Sequence, residues 1–312
     1  MENSFKIGHY TDSENITGCT VILCPSNTVA SCTVSGSSPG SREIALLDPT
    51  RKIDKIHAIL LTGGSAFGLN ATAGIMKYLE EKDIGYETHF GVVPIVPAAV
   101  IYDLNIGNSK VRPNAENAYL ACQSAISDFN QQGSIGAGTG ATVGKWSGIS
   151  KAMKSGLGIA TINFSDIYVN AVSIVNSVGD VVDGGGKIIA GAIDADGKFI
   201  ADEDISKRWH PPDIRFSENT VLSAILTNSK LTKLEANICS RRAQYGLARA
   251  IIPASTSFDG DIIFVLSSSQ IKSKPDLVYE LATEAVRRSI IAAVENAKSL
   301  GNLTAAADLR EK

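Results

Sequence analysis

Short runs rich in β-branched residues, each closed off by Gly, Asn or Asp, recur along the chain. They are KIHAILLT (55–62), GIATINF (158–164), YVNAVSIVN (168–176), VLSAIL (221–226) and DIIFVLS (261–267). Their length and bounding residues mark them as buried strands. Four longer stretches carry apolar groups at helical spacing instead. One is 65–82, which opens after a Gly pair. Another is 115–129, with Asn114 as its cap and Ala118, Cys122, Ala125 and Phe129 on one face. A third is 230–249, capped by Ser229, with Leu231, Leu234, Ile238 and Tyr245 near one stripe. The last is 275–299, opened by Pro275 and carrying Leu277, Leu281 and Ala285. The elements do not alternate strictly, and no repeat shows, so the expected architecture is helices layered on sheet. The 312 residues suffice for one large domain or two modest ones.

Charge narrows the function. Lys and Arg number 29 against 32 Asp and Glu, with no basic patch or tail, so nucleic acid and anionic membranes are poor partners. The longest apolar stretch, residues 92–102, is broken by Pro94 and Pro97 and is too short to cross a bilayer. The opening MENSFKIGHYTDSENITG has no apolar core of signal-peptide type, so a cytoplasmic protein is expected. The five cysteines (19, 24, 32, 122, 239) form no C-x-x-C pair and read as reduced, mostly buried thiols. The four histidines (9, 57, 89, 210) lie far apart, so neither a metal nor imidazole chemistry is signalled.

GSIGAGTGATVGK (133–145) invites a phosphate-loop reading and fails it. The phosphate-loop pattern would need Gly at 139 and Ser or Thr at 146, where Thr139 and Trp146 stand. A dinucleotide fingerprint fails at Ala141. The better reading is a tight loop whose glycines let its backbone come close to something. Lys145 ends a loop that holds no other charge, which suits either a solvated lysine or a functional one. Ser65, in GGSAFG, does not meet G-x-S-x-G and reads as a helix cap or a pocket wall.

The chemistry concentrates at one border. ADEDISKRWHPPDIRFSEN (201–219) is charged, contains Pro211-Pro212 and reads as an exposed loop. Thr220 stands where that loop meets VLSAIL, and a β-branched strand opener explains it on spacing alone. A Thr hydroxyl is a weak nucleophile, but as the first residue of a chain its own α-amine can serve as the base. With a reference pKa of roughly 7.7–8, that amine accepts a proton near neutrality, and no histidine is needed. The cost is a cut between Asn219 and Thr220. FDGDIIFVLS (258–267) adds Asp259 and Asp261. Extended, they share one strand face and call for partners; the alternative is a plain D-G turn.

Six blocks then carry a resemblance. LLTGGSAFGLNATAGIMKYLEE (60–81), VPIVPAAVIYDL (93–104), GSIGAGTGATVGKW (133–146), VNAVSIVNSVGDVVDG (169–184), ENTVLSAILTNSKLTK (218–233) and YGLARAIIPASTSFDGDIIFVLSS (245–268) follow one another in family order. Over nearly its whole length the chain resembles the DmpA-type L-aminopeptidase/D-esterases and β-aminopeptidases, a group that includes the nylon-oligomer hydrolases. The resemblance implies an α+β fold, a four-layer αββα sandwich of the self-cleaving N-terminal-nucleophile type. It implies a single domain over 1–312, cut at Asn219/Thr220 into an alpha fragment 1–219 and a beta fragment 220–312. The Asn-Thr pair resembles the Thr-nucleophile branch. By that likeness Thr220 attacks first the Asn219 carbonyl and then amide or ester substrates. Asp259 and Asp261 orient it, Lys145 sits near it, Asn176 donates toward the oxyanion, and Tyr102 lines the substrate pocket. The implied activity is that of an aminopeptidase or amidase acting on short peptides or amino-acid oligomers. The implied molecule needs no cofactor and assembles as a homo-oligomer, a tetramer by family likeness. Ornithine acetyltransferases share a self-cleaving Thr and a comparable fold, so acyl transfer to an amine is the alternative chemistry.

Overall fold

A computed structural model of the protein describes residues 4–203, 206 and 219–310. Two five-stranded sheets organise it. The first sheet runs in the order Lys6–Asp12, Thr17–Leu23, Ala58–Thr62, Ala98–Val100, Ser41–Arg42. The second runs Leu157–Phe164, Ile167–Asn176, Thr220–Ser229, Ile262–Ile271, Val29–Val34. Thr220–Ser229 is therefore the middle strand of the second sheet. It is antiparallel to Ile167–Asn176, with Asn176 opposite Thr220, and parallel to Ile262–Ile271, with Leu222 opposite Ile262.

All ten residues of this middle strand are buried, which explains its unbroken apolar reading in sequence. The period of two divides it between two cores. Val221 and Ile225 face helices Lys233–Ala250 and Pro275–Glu295, meeting Ala236, Leu247, Val286 and Ile290. Leu222, Ala224 and Leu226 face the first sheet and meet Ile22, Ile59 and Leu61 there. A third cluster packs Val21, Leu60 and Ala98 of the first sheet against Ile75, Leu79, Ala118 and Cys122 of helices Thr72–Glu80 and Ala115–Gln123. By the strand's alternation Thr220 shares the side of Leu222, between the sheets.

The helices depart from expectation mostly at their ends. Residues 65–82 begin as a 3-10 helix, Ser65–Ala71, and turn α-helical only at Thr72. The expected 115–129 helix stops at Gln123, because the chain leaves it to bridge Ile126 to Ile7 at the edge of the first sheet. The third helix is capped by Thr232 through a reciprocal bond with Glu235, not by Ser229, which is still the last residue of its strand. The fourth ends at Glu295, four residues early. Strand 261–267 begins one residue later and runs on to Ile271. Of the loop expected at 201–219, residues 204–205 and 207–218 lie outside the described residues. At its near end Ile200–Glu203 is helical, and Asn219 at its far end is buried. All five cysteines are free, and Cys19, Cys122 and Cys239 are buried. No helix among the described residues is long and apolar enough to cross a membrane.

Candidate active site

The topology brings three strand ends together. Thr220 begins the middle strand, Asn176 ends its antiparallel neighbour, and Asp261 immediately precedes its parallel one. Thr220 is 4% exposed and Asn219 1%. In this intact chain the Thr220 hydroxyl donates to the Asn219 carbonyl at 2.5 Å. The same carbonyl accepts the Gly260 N–H at 2.7 Å, and the Asn219 N–H donates to the Phe258 carbonyl at 3.1 Å. Gly260 must be glycine: a Cβ there would lie 2.6 Å from the Ser38 carbonyl oxygen and 2.8 Å from Thr220 Oγ1.

The two aspartates flank this contact differently. Asp261 Oδ1 accepts the Val221 N–H at 2.7 Å, and Oδ2 accepts the Ser255 hydroxyl at 3.0 Å. Burial, and then the charge of Asp259, push its carboxyl well above the ordinary range. Asp259 Oδ2 accepts the Thr256 N–H at 2.8 Å and the Thr256 hydroxyl at 2.7 Å, while its Oδ1 is buried without a hydrogen-bond partner. The Asp259 N–H closes a turn on the Thr256 carbonyl at 3.1 Å. Turn and chemistry were alternatives in the sequence; here the turn forms, its backbone bridges to Asn219, and it carries a carboxylate oxygen that is buried without a hydrogen-bond partner.

Asn176 is held hard. Its Oδ1 accepts Lys145 Nζ at 2.7 Å and the Thr142 N–H at 3.1 Å, and its Nδ2 donates to the Tyr102 carbonyl at 3.1 Å. In the intact chain the bond that Nδ2 makes is therefore to Tyr102. Lys145 Nζ also donates to the Asn176 carbonyl at 3.1 Å. Lys145 is fully buried, so the solvated-lysine alternative falls. Desolvation drops its pKa to about 7, against the fields of Asp259 and Asp103 and helped by Lys154. Lys145 thus acts on Asn176, directly opposite Thr220. Tyr102 lines a cavity of about 210 Å³ together with Ser38, Pro39, Ser65, Val100 and Thr220. Ser65 is a pocket wall and not a cap: it adopts a left-handed backbone, φ 53°, and makes no capping bond.

Several neighbours were missed in the sequence. Loop 35–40, SGSSPG, walls the site: the Ser38 N–H donates to the Asp259 carbonyl at 3.0 Å and the Ser35 N–H to the Asp261 carbonyl at 2.9 Å. Asp103 is buried, accepts the Gly64 N–H at 2.7 Å and the Thr17 hydroxyl at 2.8 Å, and is raised by burial. Lys154, also fully buried, donates to the carbonyls of Ala141 at 2.9 Å and Gly138 at 3.2 Å and has a pKa lowered to about 7, again by desolvation first. It ties down the glycine-rich loop. There Gly138 and Gly140 pass so close to Leu157 and Asp103 that a Cβ would fall 2.3 and 2.5 Å from them. The expected close backbone approach is met, and the approach is to protein. The only signals for these residues were a Ser-Gly-Pro stretch and an Asp next to Tyr102, neither distinctive in one sequence.

Arranged this way, the site presents a buried hydroxyl at a polarised carbonyl, an open carboxylate oxygen and an amide braced by a lysine. That is equipment for acyl transfer to a hydroxyl. Comparison with known proteins agrees. Residues 3–306 match the family described as peptidase family S58. An uncharacterised aminopeptidase of Mycobacterium leprae is 40% identical over 266 residues, 82% of this chain and 72% of that protein. A 6-aminohexanoate-oligomer endohydrolase of an Agromyces species is 30% identical over 282 residues, covering 86% and 73%. Among solved structures, the L-aminopeptidase D-Ala-esterase/amidase of Ochrobactrum anthropi, described as a variant of the Ntn-hydrolase fold, superposes with a TM-score of 0.75. It is 16% identical, with 99% of this chain and 91% of that one covered.

Proposed function

Because the chain belongs to peptidase family S58 and is a hydrolase acting on amide bonds, we propose that it matures by cutting itself between Asn219 and Thr220. Thr220 of the resulting 220–312 fragment then cleaves amide or ester bonds of short peptides or amino-acid oligomers through an acyl-Thr intermediate. The observation that carries this reading is the Thr220 hydroxyl lying on the Asn219 carbonyl, with the buried Asp259/Asp261 pair on one side and Asn176 on the other.

In this reading Asp259 and Asp261 orient Thr220. Lys145 braces Asn176, whose amide faces the acyl oxygen during turnover, and Tyr102 borders the acyl group. The freed Thr220 amine is the base that a histidine-poor site otherwise lacks. The three apolar clusters support reading the whole as helix, sheet, sheet, helix in four layers within one domain. The middle strand supports lasting association of the fragments. It lies between Ile167–Asn176 of the first fragment and Ile262–Ile271 of the second, and the latter in turn pairs with Val29–Val34 of the first. The proposal includes a cytoplasmic homo-oligomer, with the tetramer favoured by family likeness.

A denaturing gel tests it: wild type should give two fragments, the smaller beginning at Thr220 by N-terminal sequencing. A panel of aminoacyl-p-nitroanilides and a 6-aminohexanoate oligomer then reads the acyl preference. Hydrolysis of neither, or a single full-length band after long incubation, would overturn the proposal.

A further inference from the structure

Asn219 is the first acyl group that Thr220 meets, so its contacts in the intact chain mark where a reacting carbonyl sits. Its oxygen is held by two donors, the Thr220 hydroxyl and the main-chain N–H of Gly260 at 2.7 Å. The hydroxyl becomes the attacking atom and ceases to be a donor. The Gly260 N–H remains, and it belongs to a backbone already fixed. The Asp259 carbonyl on one side of it accepts from Ser38, and the Asp261 carbonyl on the other accepts from Ser35. The approach is so close that no side chain fits at 260.

We propose that the Gly260 N–H is the oxyanion donor of self-cleavage and, once Asn219 has left, of substrate turnover at the same place. The proposal rests on Thr220 being the nucleophile. Thr220 Oγ bonds to the Asn219 carbonyl carbon, and the carbonyl π pair moves onto the oxygen facing Gly260. The hydroxyl proton passes to Asp259, whose Oδ1 is buried without a hydrogen-bond partner. Collapse breaks the carbon–nitrogen bond, the proton returns to the departing Thr220 nitrogen, and an ester joins Asn219 to Thr220. Water then hydrolyses that ester, leaving the Asn219 carboxylate and restoring the hydroxyl. A preset donor at 2.7 Å needs little adjustment as the carbon becomes tetrahedral, whereas water would have to reorganise.

The test removes the Gly260 N–H, at the cost of a weaker acceptor at the Asp259 carbonyl that Ser38 meets. Glycolic acid installed at position 260 by nonsense suppression replaces the amide with an ester of the same shape. Fragment formation should slow by about 10²–10³-fold, the usual cost of one oxyanion donor, and kcat of whatever matures should fall in the same range. Cutting and turnover at wild-type rates would overturn the proposal while leaving Thr220 as nucleophile intact. Wild type that stays whole, or is cut elsewhere, would instead overturn the reading beneath it. Should the ester variant fail to fold, the uncut Thr220→Ala protein, labelled with 15N at Gly260 and 13C at the Asn219 carbonyl, supplies the second measurement. A coupling across the hydrogen bond supports the proposal, and its absence overturns it.

Discussion

The middle strand of the second sheet ends in buried hydroxyls on both sides, yet its two ends are built for different work. At Ser229 the hydroxyl meets the Ser273 hydroxyl at 2.5 Å, and the Ser267 hydroxyl donates to the Ser229 carbonyl at 2.5 Å. Both of these partners, Ser273 and Ser267, are neutral. At Thr220 the same kind of buried hydroxyl is surrounded by Asp259, Asp261 and, through Asn176, Lys145. Neutral networks satisfy polar groups and stop there. Buried charges are costly to keep and respond to protons near neutrality, which a catalytic site can use. Burial and hydrogen bonding alone do not distinguish the two ends; the presence of ionisable partners does.

The sharpest way to break this comparison is to remove each hydroxyl. Thr220→Ala should leave the chain whole and activity at background, read on a denaturing gel and by p-nitroanilide release. Two bands from this variant would assign the nucleophile elsewhere. Thr220→Ser should still cut, because the hydroxyl remains.

Charge comes next. Asp261→Asn should slow cutting or turnover by the worth of a charge-assisted hydrogen bond, about 1.5–3 kcal/mol, or roughly 10–150-fold. Because burial raises the Asp261 pKa, wild-type activity should fall on acidification at a higher pH than an ordinary aspartate would give. The asparagine variant should lose that limb. A pH–rate profile unchanged by the substitution would remove Asp261 from the chemistry.

A third effect is thermodynamic. Lys145 and Lys154 have pKa values near 7 folded against 10.5 for the free side chain, so between those values the unfolded chain binds more protons. Stability should therefore rise with pH across that window and fall as pH drops toward 7. Lys154→Met should flatten the rise seen in urea melts. A slope as steep as wild type would mean that Lys154 keeps its proton in the fold.

The smallest effect belongs to the neutral end. Ser229→Ala should cost about 1 kcal/mol of stability and leave kcat unchanged. A kcat loss there would erase the distinction between the ends.

Much of this site was legible early, for identifiable reasons. Thr220 stood on a border between a charged loop and a strand buried on both faces, and such a strand announces itself as an unbroken apolar run. Asp259 and Asp261 were visible as paired carboxylates entering an apolar segment. Lys145 was visible as the one charge of a glycine loop. Loop 35–40 and Asp103 were not, because each makes its contact across a large sequence separation: Ser35 contacts Asp261 and Asp103 contacts Thr17. Lys154 lies only 16 residues from Gly138, but a lysine's burial under a loop is decided by packing and leaves no local pattern. Helix ends slipped for a related reason. The residues after Gln123 were taken by the edge of the first sheet, a competitor that helical periodicity cannot register.

What the linear chain determined by itself was composition of matter: which segments must be buried, and a resemblance that proposes a cut, a nucleophile and its partners. Tertiary structure alone decided geometry. It set Asn176 opposite Thr220 by strand register, buried Lys145 with its Nζ on Asn176, and aimed the Gly260 N–H at the Asn219 carbonyl. Register and close approach arise from packing distant segments together, and a side-chain pattern read along one strand carries no record of what lies across from it.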